Sequence, residues 1–281
     1  MFETIRKLFT PVESLTPDEA RDFMNQNAQG SFTLLDVRQP REYEEGHIAG
    51  ATLAPLPQLP DFYNELDSQK PIIVYCAIGG RSRVAAQMLA GKDFRQVYNL
   101  TGGIKAWNGA VAEGPQEMSM DLITGDETAS EIVALAYSME KNLGSFYKLA
   151  QEKTADPKVN KLLGTLGSIE QKHKDFLIQL FEKLEPGRDS RQTLDGMSSK
   201  TVMEGGFDTE SFMKQNWKYL QKESHILDLA MMLETQALDL YIRFGARMKN
   251  PDSQAILNRI ADEEKEHLKA LGNLRNETPD E

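Results

Sequence analysis

The chain reads as two domains of different class. Residues 1–118 are expected to form an α/β domain on a mainly parallel sheet flanked by helices, and residues 119–281 an all-α four-helix bundle. Three observations carry this. In the first half, short apolar runs alternate with helical patterns, the signature of parallel strands joined by crossover helices. Past a loop-like, acidic stretch from Gly109 to Glu127, the apolar positions fall at helical period in four long segments. Those segments repeat internally at an offset of 94 residues, so that Glu140 matches Glu234 and His173 matches His267.

Of the 281 residues, 40% are hydrophobic and 27% charged, an ordinary balance for a globular chain. The net charge of −11 argues against nonspecific nucleic-acid binding and against an anionic membrane surface. One cysteine excludes a disulfide framework, a cysteine-built zinc site and a CxxC redox pair. A lone thiol suits a reducing compartment. Residues 1–7 are too polar for a signal peptide, and no apolar run approaches the ~18 residues of a membrane span. The expectation is a cytoplasmic protein with no membrane partner.

Taken in order, Thr16-Pro17-Asp18-Glu19 is a capping box with proline at the first helical position, opening a helix to about Asn27. Gly30-Ser31 turns into a strand over 32–38. Pro40 to Glu45 is a short helical segment, Ala51 to Ala54 a short strand, and Pro60 to Leu66 a helix. Ile72 to Tyr75 is a β-branched, buried strand that ends at Cys76. Gly79 and Gly80 follow, then Arg81 and a helix over 82–91. A strand over 96–100 and a short helix over 104–107 after Gly102-Gly103 complete the domain. Strand, cysteine, glycine turn and helix start aim successive backbone N–H groups into a cup around the sulfur. The helix N-terminus and Arg81 both favour a thiolate. This is the pattern of a nucleophile in an anion-binding loop. It also suits an inert buried thiol, and the loop alone does not separate the two.

The blocks around the loop do. Leu35-Asp36-Val37-Arg38, Glu42 with Gly46 to Ala51, Cys76 to Ser82, and Gly102 to Trp107 resemble, in order, a single-domain rhodanese over roughly residues 10–112. The resemblance implies a sulfurtransferase in which Cys76 attacks a sulfane-sulfur donor, thiosulfate or a persulfide, and passes the sulfur to a thiol or other thiophilic acceptor. Ala77, Ile78, Gly79, Gly80 and Ser82 would form the substrate loop. Its six residues from Cys76 to Arg81 resemble the length used for sulfur rather than phosphate substrates. Arg81 is either the cation near an anionic donor or a structural fork to loop carbonyls. Asp36 and Arg38 buttress the site, and Glu42 and His47 are read as structural.

In the second half, helices are expected over 129–155, 158–185, 222–249 and 252–276, with Pro157 and Pro251 opening the second and fourth. The stretch 186–208 holds too many turn residues for a helix and reads as a long crossover. Residues 209–218 suit an extra short helix. Each repeat carries a glutamate on its first helix, Glu140 or Glu234, and Glu-x-x-His on its second, Glu170 with His173 or Glu264 with His267. Residues i and i+3 share a helix face. Two such hairpins packed together bring four glutamates and two histidines to the bundle centre, the ligand set of a di-iron or di-manganese carboxylate site. A single Glu-x-x-His would read as a solvated surface pair; its recurrence in register argues otherwise. Tyr147 and Tyr241, two turns beyond Glu140 and Glu234, are placed to donate hydrogen bonds to the ligands or to pack the interior.

Residues 129–276 resemble the ferritin-like superfamily, most closely the rubrerythrin branch. The resemblance implies two iron ions, with manganese or zinc as alternatives. Glu170 and Glu264 would bridge them, Glu140 and Glu234 would cap them, and His173 and His267 would each bind one. It also implies a homodimer through the helical domain. Two departures stand out. Peroxide-reducing rubrerythrins usually carry a further carboxylate one turn beyond the third-helix glutamate, where this chain has Ala237, and no four-cysteine iron site is present. The leading expectation is therefore a sulfurtransferase with an appended di-iron domain. The alternatives are a di-iron peroxidase or oxidase, or a metal- or oxidant-sensing module, with the rhodanese domain as its partner.

Overall fold

The structure is a computed structural model that describes residues 11–197 and 202–278. The polar residues 1–7 lie outside that range. Two compact units divide between Met118 and Ser119.

The first unit holds β1 (Glu13–Leu15), α1 (Pro17–Gln26), β2 (Thr33–Asp36), α2 (Pro40–Glu44), β3 (His47–Ile48), β4 (Thr52–Leu53) and α3 (Leu59–Phe62). It continues with β5 (Ile72–Tyr75), α4 (Gly80–Ala90), β6 (Val97–Leu100) and β7 (Val111–Ala112). Five strands form one parallel sheet in the order β1-β6-β5-β2-β4. Side chains alternate across a strand. Thus Ile72 and Val74 of central β5 pack with Leu35, Ala85 and Leu89 on one face, while Ile73 and Tyr75 pack with Leu34, Tyr43 and Leu100 on the other. The Thr16–Glu19 capping box forms, with Glu19 N–H donating to Thr16 Oγ1 at 3.3 Å and Thr16 N–H to Glu19 Oε2 at 2.8 Å.

Three features depart from the sequence expectation. The helix placed over Pro60–Leu66 is shorter and begins earlier: a 3₁₀ turn at Leu56–Gln58 leads into α3, and Asn64, Asp67 and Ser68 favour turn over helix beyond it. Edge strand β1 escapes the pattern because Glu13-Ser14-Leu15 carries a single apolar residue. The antiparallel pair β3–β7 joins segments too far apart in sequence for any local pattern to show.

The second unit contains α5 (Ala129–Lys153), α6 (Pro157–Leu184), α7 (Ser190–Met197), β8 (Val202–Met203), β9 (Phe207–Asp208), α8 (Thr209–Asn216), α9 (Glu223–Arg247) and α10 (Pro251–Glu277). Helix α5 pairs with α6 and α9 with α10. Asp156 and Asn250 cap the proline-led helices by accepting from Lys158 and Asp252 N–H, at 2.8 and 2.9 Å. The core includes Phe146, Leu163, Leu166, Leu227 and Leu233. No helix among the described residues is long and apolar enough to cross a membrane.

The crossover is the correction here. Its turn-rich sequence predicts no helix, yet α7 lies within it, and residues 198–201 fall outside the described range. Asp189 accepts from Gln192 N–H at 3.0 Å at the start of the helix, and Leu194 is fully buried. One anchored turn outweighs the flanking glycines, and Gly196 costs little in the last turn.

Candidate functional site

Cys76 stands at the carboxyl end of central strand β5, where ligands sit in open α/β sheets. All four residues of β5 are fully buried, which holds the strand end rigidly. Gly79 takes a left-handed φ of 94°, turning the chain so that its N–H donates to Cys76 Sγ at 3.1 Å. The Ser82 hydroxyl lies 3.4 Å from the sulfur and 2.7 Å from Asn99 Oδ1. Burial pushes the Cys76 thiol up, but the Ser82 hydroxyl and the backbone N–H groups of Ser82, Ile78 and Gly79 outweigh it and hold the thiol below its ordinary range. The cysteine is 1% exposed, whereas Ile78 at the loop rim is 68% exposed. A second glycine turn braces the loop from behind: Ile104 N–H donates to Cys76 O at 2.8 Å, and Lys105 N–H to Ala77 O at 3.1 Å.

Arg81 does not fork to loop carbonyls. Its two terminal nitrogens donate to Glu42 Oε1 and Oε2 at 2.6 and 2.7 Å, a bidentate pair that draws Glu42 down to about 2. The same pair raises Arg81, and the Cys76 sulfur adds to that. Glu42, read as structural, therefore positions the site's cation. Asp36 and Arg38 form a buried pair at 2.6 Å, and Arg38 also donates to Gly46 O at 2.6 Å, fixing the neighbouring loop. His47 stacks on Tyr43, with ring centroids 3.6 Å apart, and its Nδ1 lies 3.0 Å from Tyr43 O.

In the helical unit the six sequence-predicted residues converge, each hairpin building one half. His173 Nδ1 is 3.3 Å from Glu140 Oε1 and 2.9 Å from Glu170 Oε2. His267 Nδ1 is 3.5 Å from Glu234 Oε2 and 3.0 Å from Glu264 Oε2. The two imidazoles stack across the centre with centroids 3.4 Å apart. The four glutamates are buried to 2% exposure or less.

Sequence reasoning missed a fifth carboxylate. Glu204, in a three-residue turn between β8 and β9, is fully buried and shares potential ligand groups with Glu140 and Glu264, and with Glu170 and Glu234. Only a lone acid before Gly205-Gly206 hinted at it. Tyr241 donates to Glu204 Oε1 at 3.1 Å rather than to a glutamate of the repeat. Tyr147 is buried, and its hydroxyl has no hydrogen-bond partner among the described residues.

Burial, followed by repulsion from neighbouring carboxylates, pushes Glu140, Glu204 and Glu264 well above the usual carboxylate range. Burial also raises Glu234, but its contacts with His267 and Glu264 prevail and leave it lowered. Among the described residues, Oε2 of Glu140, Glu170, Glu204 and Glu234 and Nδ1 of His173 are enclosed without a hydrogen bond of good geometry, and the Glu170 and Glu234 oxygens have only the imidazole contacts at 2.9 and 3.5 Å. Each buried ion costs several kcal/mol unless compensated, and the basic groups that meet Glu140, Glu170, Glu234 and Glu264 are the two imidazoles, His173 and His267. Inward-facing orphan oxygens with two imidazoles fit a pair of divalent cations.

Comparison with known proteins agrees with this division. A family model described as a rhodanese-like domain matches residues 16–110, and one described as rubrerythrin matches residues 113–215. The rubrerythrin match takes in Glu140, Glu170, His173 and Glu204; Glu234, Glu264 and His267 lie beyond it. The "Uncharacterized protein YqhL" of Bacillus subtilis is 46% identical over 78 residues, covering 28% of this chain and 62% of that protein. The "Thiosulfate sulfurtransferase GlpE" of Pseudomonas syringae pv. syringae is 34% identical over 98 residues, covering 35% of this chain and 89% of that protein. A crystal structure of a rhodanese-like domain protein from Staphylococcus aureus is 28% identical, covers 34% of this chain and 92% of its own, and has a TM-score of 0.32. The chain belongs to the rhodanese family through its first unit and continues into a rubrerythrin, ferritin-like domain in its second.

Proposed function

We propose that the rhodanese unit transfers sulfane sulfur through a persulfide on Cys76. The observation that carries this is the convergence of the Gly79 N–H and the Ser82 hydroxyl on a sulfur at the end of β5, with the thiol held below its ordinary range. The Cys76 thiolate attacks the outer sulfur of thiosulfate. The S–S bond of the donor breaks, sulfite leaves with its electron pair, and Cys76 carries the outer sulfur. An acceptor thiolate then attacks that sulfur, the Cys76 S–S bond breaks, and the thiolate returns. No net oxidant is consumed. Loop N–H groups that stabilise the thiolate also face the terminal sulfur of the persulfide, and Arg81 supplies positive charge for an anionic donor. Cys76→Ser is expected to lower cyanide-dependent turnover of thiosulfate or glutathione persulfide by about a thousandfold or more. Wild-type turnover in that variant would refute the assignment.

The second unit is proposed to hold two iron ions through Glu140, Glu170, His173, Glu234, Glu264 and His267. Bound there, iron would supply redox chemistry. The chain's own part is to orient the donors and to enclose them away from water. The sulfurtransferase reading leads because Cys76 and its loop form a complete nucleophile site. Electron delivery to a peroxidase centre lacks such support among the described residues.

A further inference from the structure

The other acids at the centre of the helical unit sit on the four long helices. Glu204 does not: it arrives from the turn Glu204–Gly206 between two short strands in the connection from α7 to α8. The backbone is built to deliver it. Gly205 and Gly206 both take left-handed φ values, 71° and 82°. A Cβ on Gly205 would stand 2.8 Å from Gln236 Cβ of α9, and one on Gly206 2.2 Å from Ser119 Oγ. Only glycine fits so close an approach. A surface turn would let its acid face water, yet this one points inward and is 0% exposed. Tyr241 satisfies Oε1, while Oε2 has no hydrogen-bond partner among the described residues. Potential ligand atoms of Glu204 lie within 4.8 Å of those of Glu140 and Glu264 in one group, and of Glu170 and Glu234 in another. It therefore shares a group with every glutamate of both hairpins.

Resting on the di-metal reading above, we propose that Glu204 is a seventh ligand, supplied by the crossover, and that metal binding pins the β8–β9 turn against the bundle. The site is then not a product of the four helices alone. Loading it with metal also orders the connection that joins the two hairpins.

The test uses the full chain, stripped with a chelator and titrated anaerobically with cobalt(II) and iron(II). Amide hydrogen exchange over residues 202–208 is followed in parallel. Wild type is expected to bind two ions and to slow exchange in the turn. Glu204→Gln should keep its far-UV circular dichroism, bind at least one ion about tenfold or more weakly, alter the cobalt(II) absorption bands and lose the exchange response. Tyr241→Phe, which leaves the carboxylate in place, should retain that response. If Glu204→Gln binds with wild-type affinity and bands, Glu204 is a buried neutral acid and the proposal is wrong. If that variant does not fold, wild-type exchange decides: a turn that exchanges equally with and without cobalt(II) overturns the proposal. A wild-type chain that binds neither metal overturns the di-metal reading itself.

Discussion

At Cys76 one hydroxyl proton has two claimants. Ser82 Oγ sits between Cys76 Sγ and the Asn99 amide, and Ser82 is fully buried. With a thiolate at Cys76, the Ser82 O–H turns to donate to the sulfur. A half-turn of the Asn99 amide then presents its NH₂ to Oγ and its oxygen to Ser14 Oγ, 3.4 Å from the present Nδ2. Asn99 thus orients the donor that favours the charged sulfur. Removing that donor must raise the thiol pKa, because it withdraws a hydrogen bond from the charged form alone. In Ser82→Ala, the pH midpoint of iodoacetamide alkylation at Cys76 is expected to move upward, and sulfur transfer near neutral pH to slow. Asn99→Asp should shift the midpoint the same way by placing a buried negative charge behind Ser82. An unmoved midpoint in both variants would show that backbone N–H groups alone set the thiol. Cys76 and its loop were legible from sequence because the signal is local and ordered. Asn99 was not: its role comes from β6 lying beside β5, a pairing that no local pattern encodes.

At the scale of the element, the site is a strand, a six-residue loop and a helix, held by a second glycine turn. Gly103 takes a φ of 59°, and a Cβ there would stand 2.2 Å from Cys76 O and 2.7 Å from the Ala77 carbonyl carbon. Gly80, at the first position of α4, has nothing within 4 Å of its Cβ position. Gly103→Ala combines left-handed strain with overpacking and is expected to cost about 2–5 kcal/mol. Gly80→Ala should leave stability within about 1 kcal/mol, since alanine favours a helix. The two variants can be compared by urea unfolding in a Trp217→Phe background, where Trp107 alone reports the first unit. Equal midpoints would mean that the second glycine turn does not brace the loop. The same contrast shows what a sequence can and cannot say about elements. The capped, proline-led helices were legible because their signals lie in the first turn. Helix α7 and the β8–β9 turn were not, because buried Leu194 and Glu204 decide them and burial is a tertiary fact.

At the scale of the whole molecule, the 94-residue repeat foretells a site with two matched halves. Each histidine meets the two glutamates of its own hairpin, at 2.9 and 3.3 Å in one half and 3.0 and 3.5 Å in the other. What the repeat cannot foretell is the unrepeated piece, Glu204. Each unit also has its own apolar core, built from Leu35, Val74 and Leu89 or from Phe146, Leu163 and Leu233. Neither the Cys76 loop nor the carboxylate–histidine cluster therefore needs the other unit for its internal packing. Replacing Glu170 and His173 together by alanine removes one carboxylate and one imidazole of the first hairpin's half. It also relieves the burial of a charged group whose compensation would be a metal. The expected result is loss of about two bound metal ions per chain, with sulfur transfer at Cys76 within about twofold of wild type, because additivity holds for sites without shared partners. Metal analysis and thiosulfate cyanolysis on the same preparation check both halves of that statement. If sulfur transfer falls with the metal, the two units are energetically coupled. The independence implied by the separate cores would then be wrong.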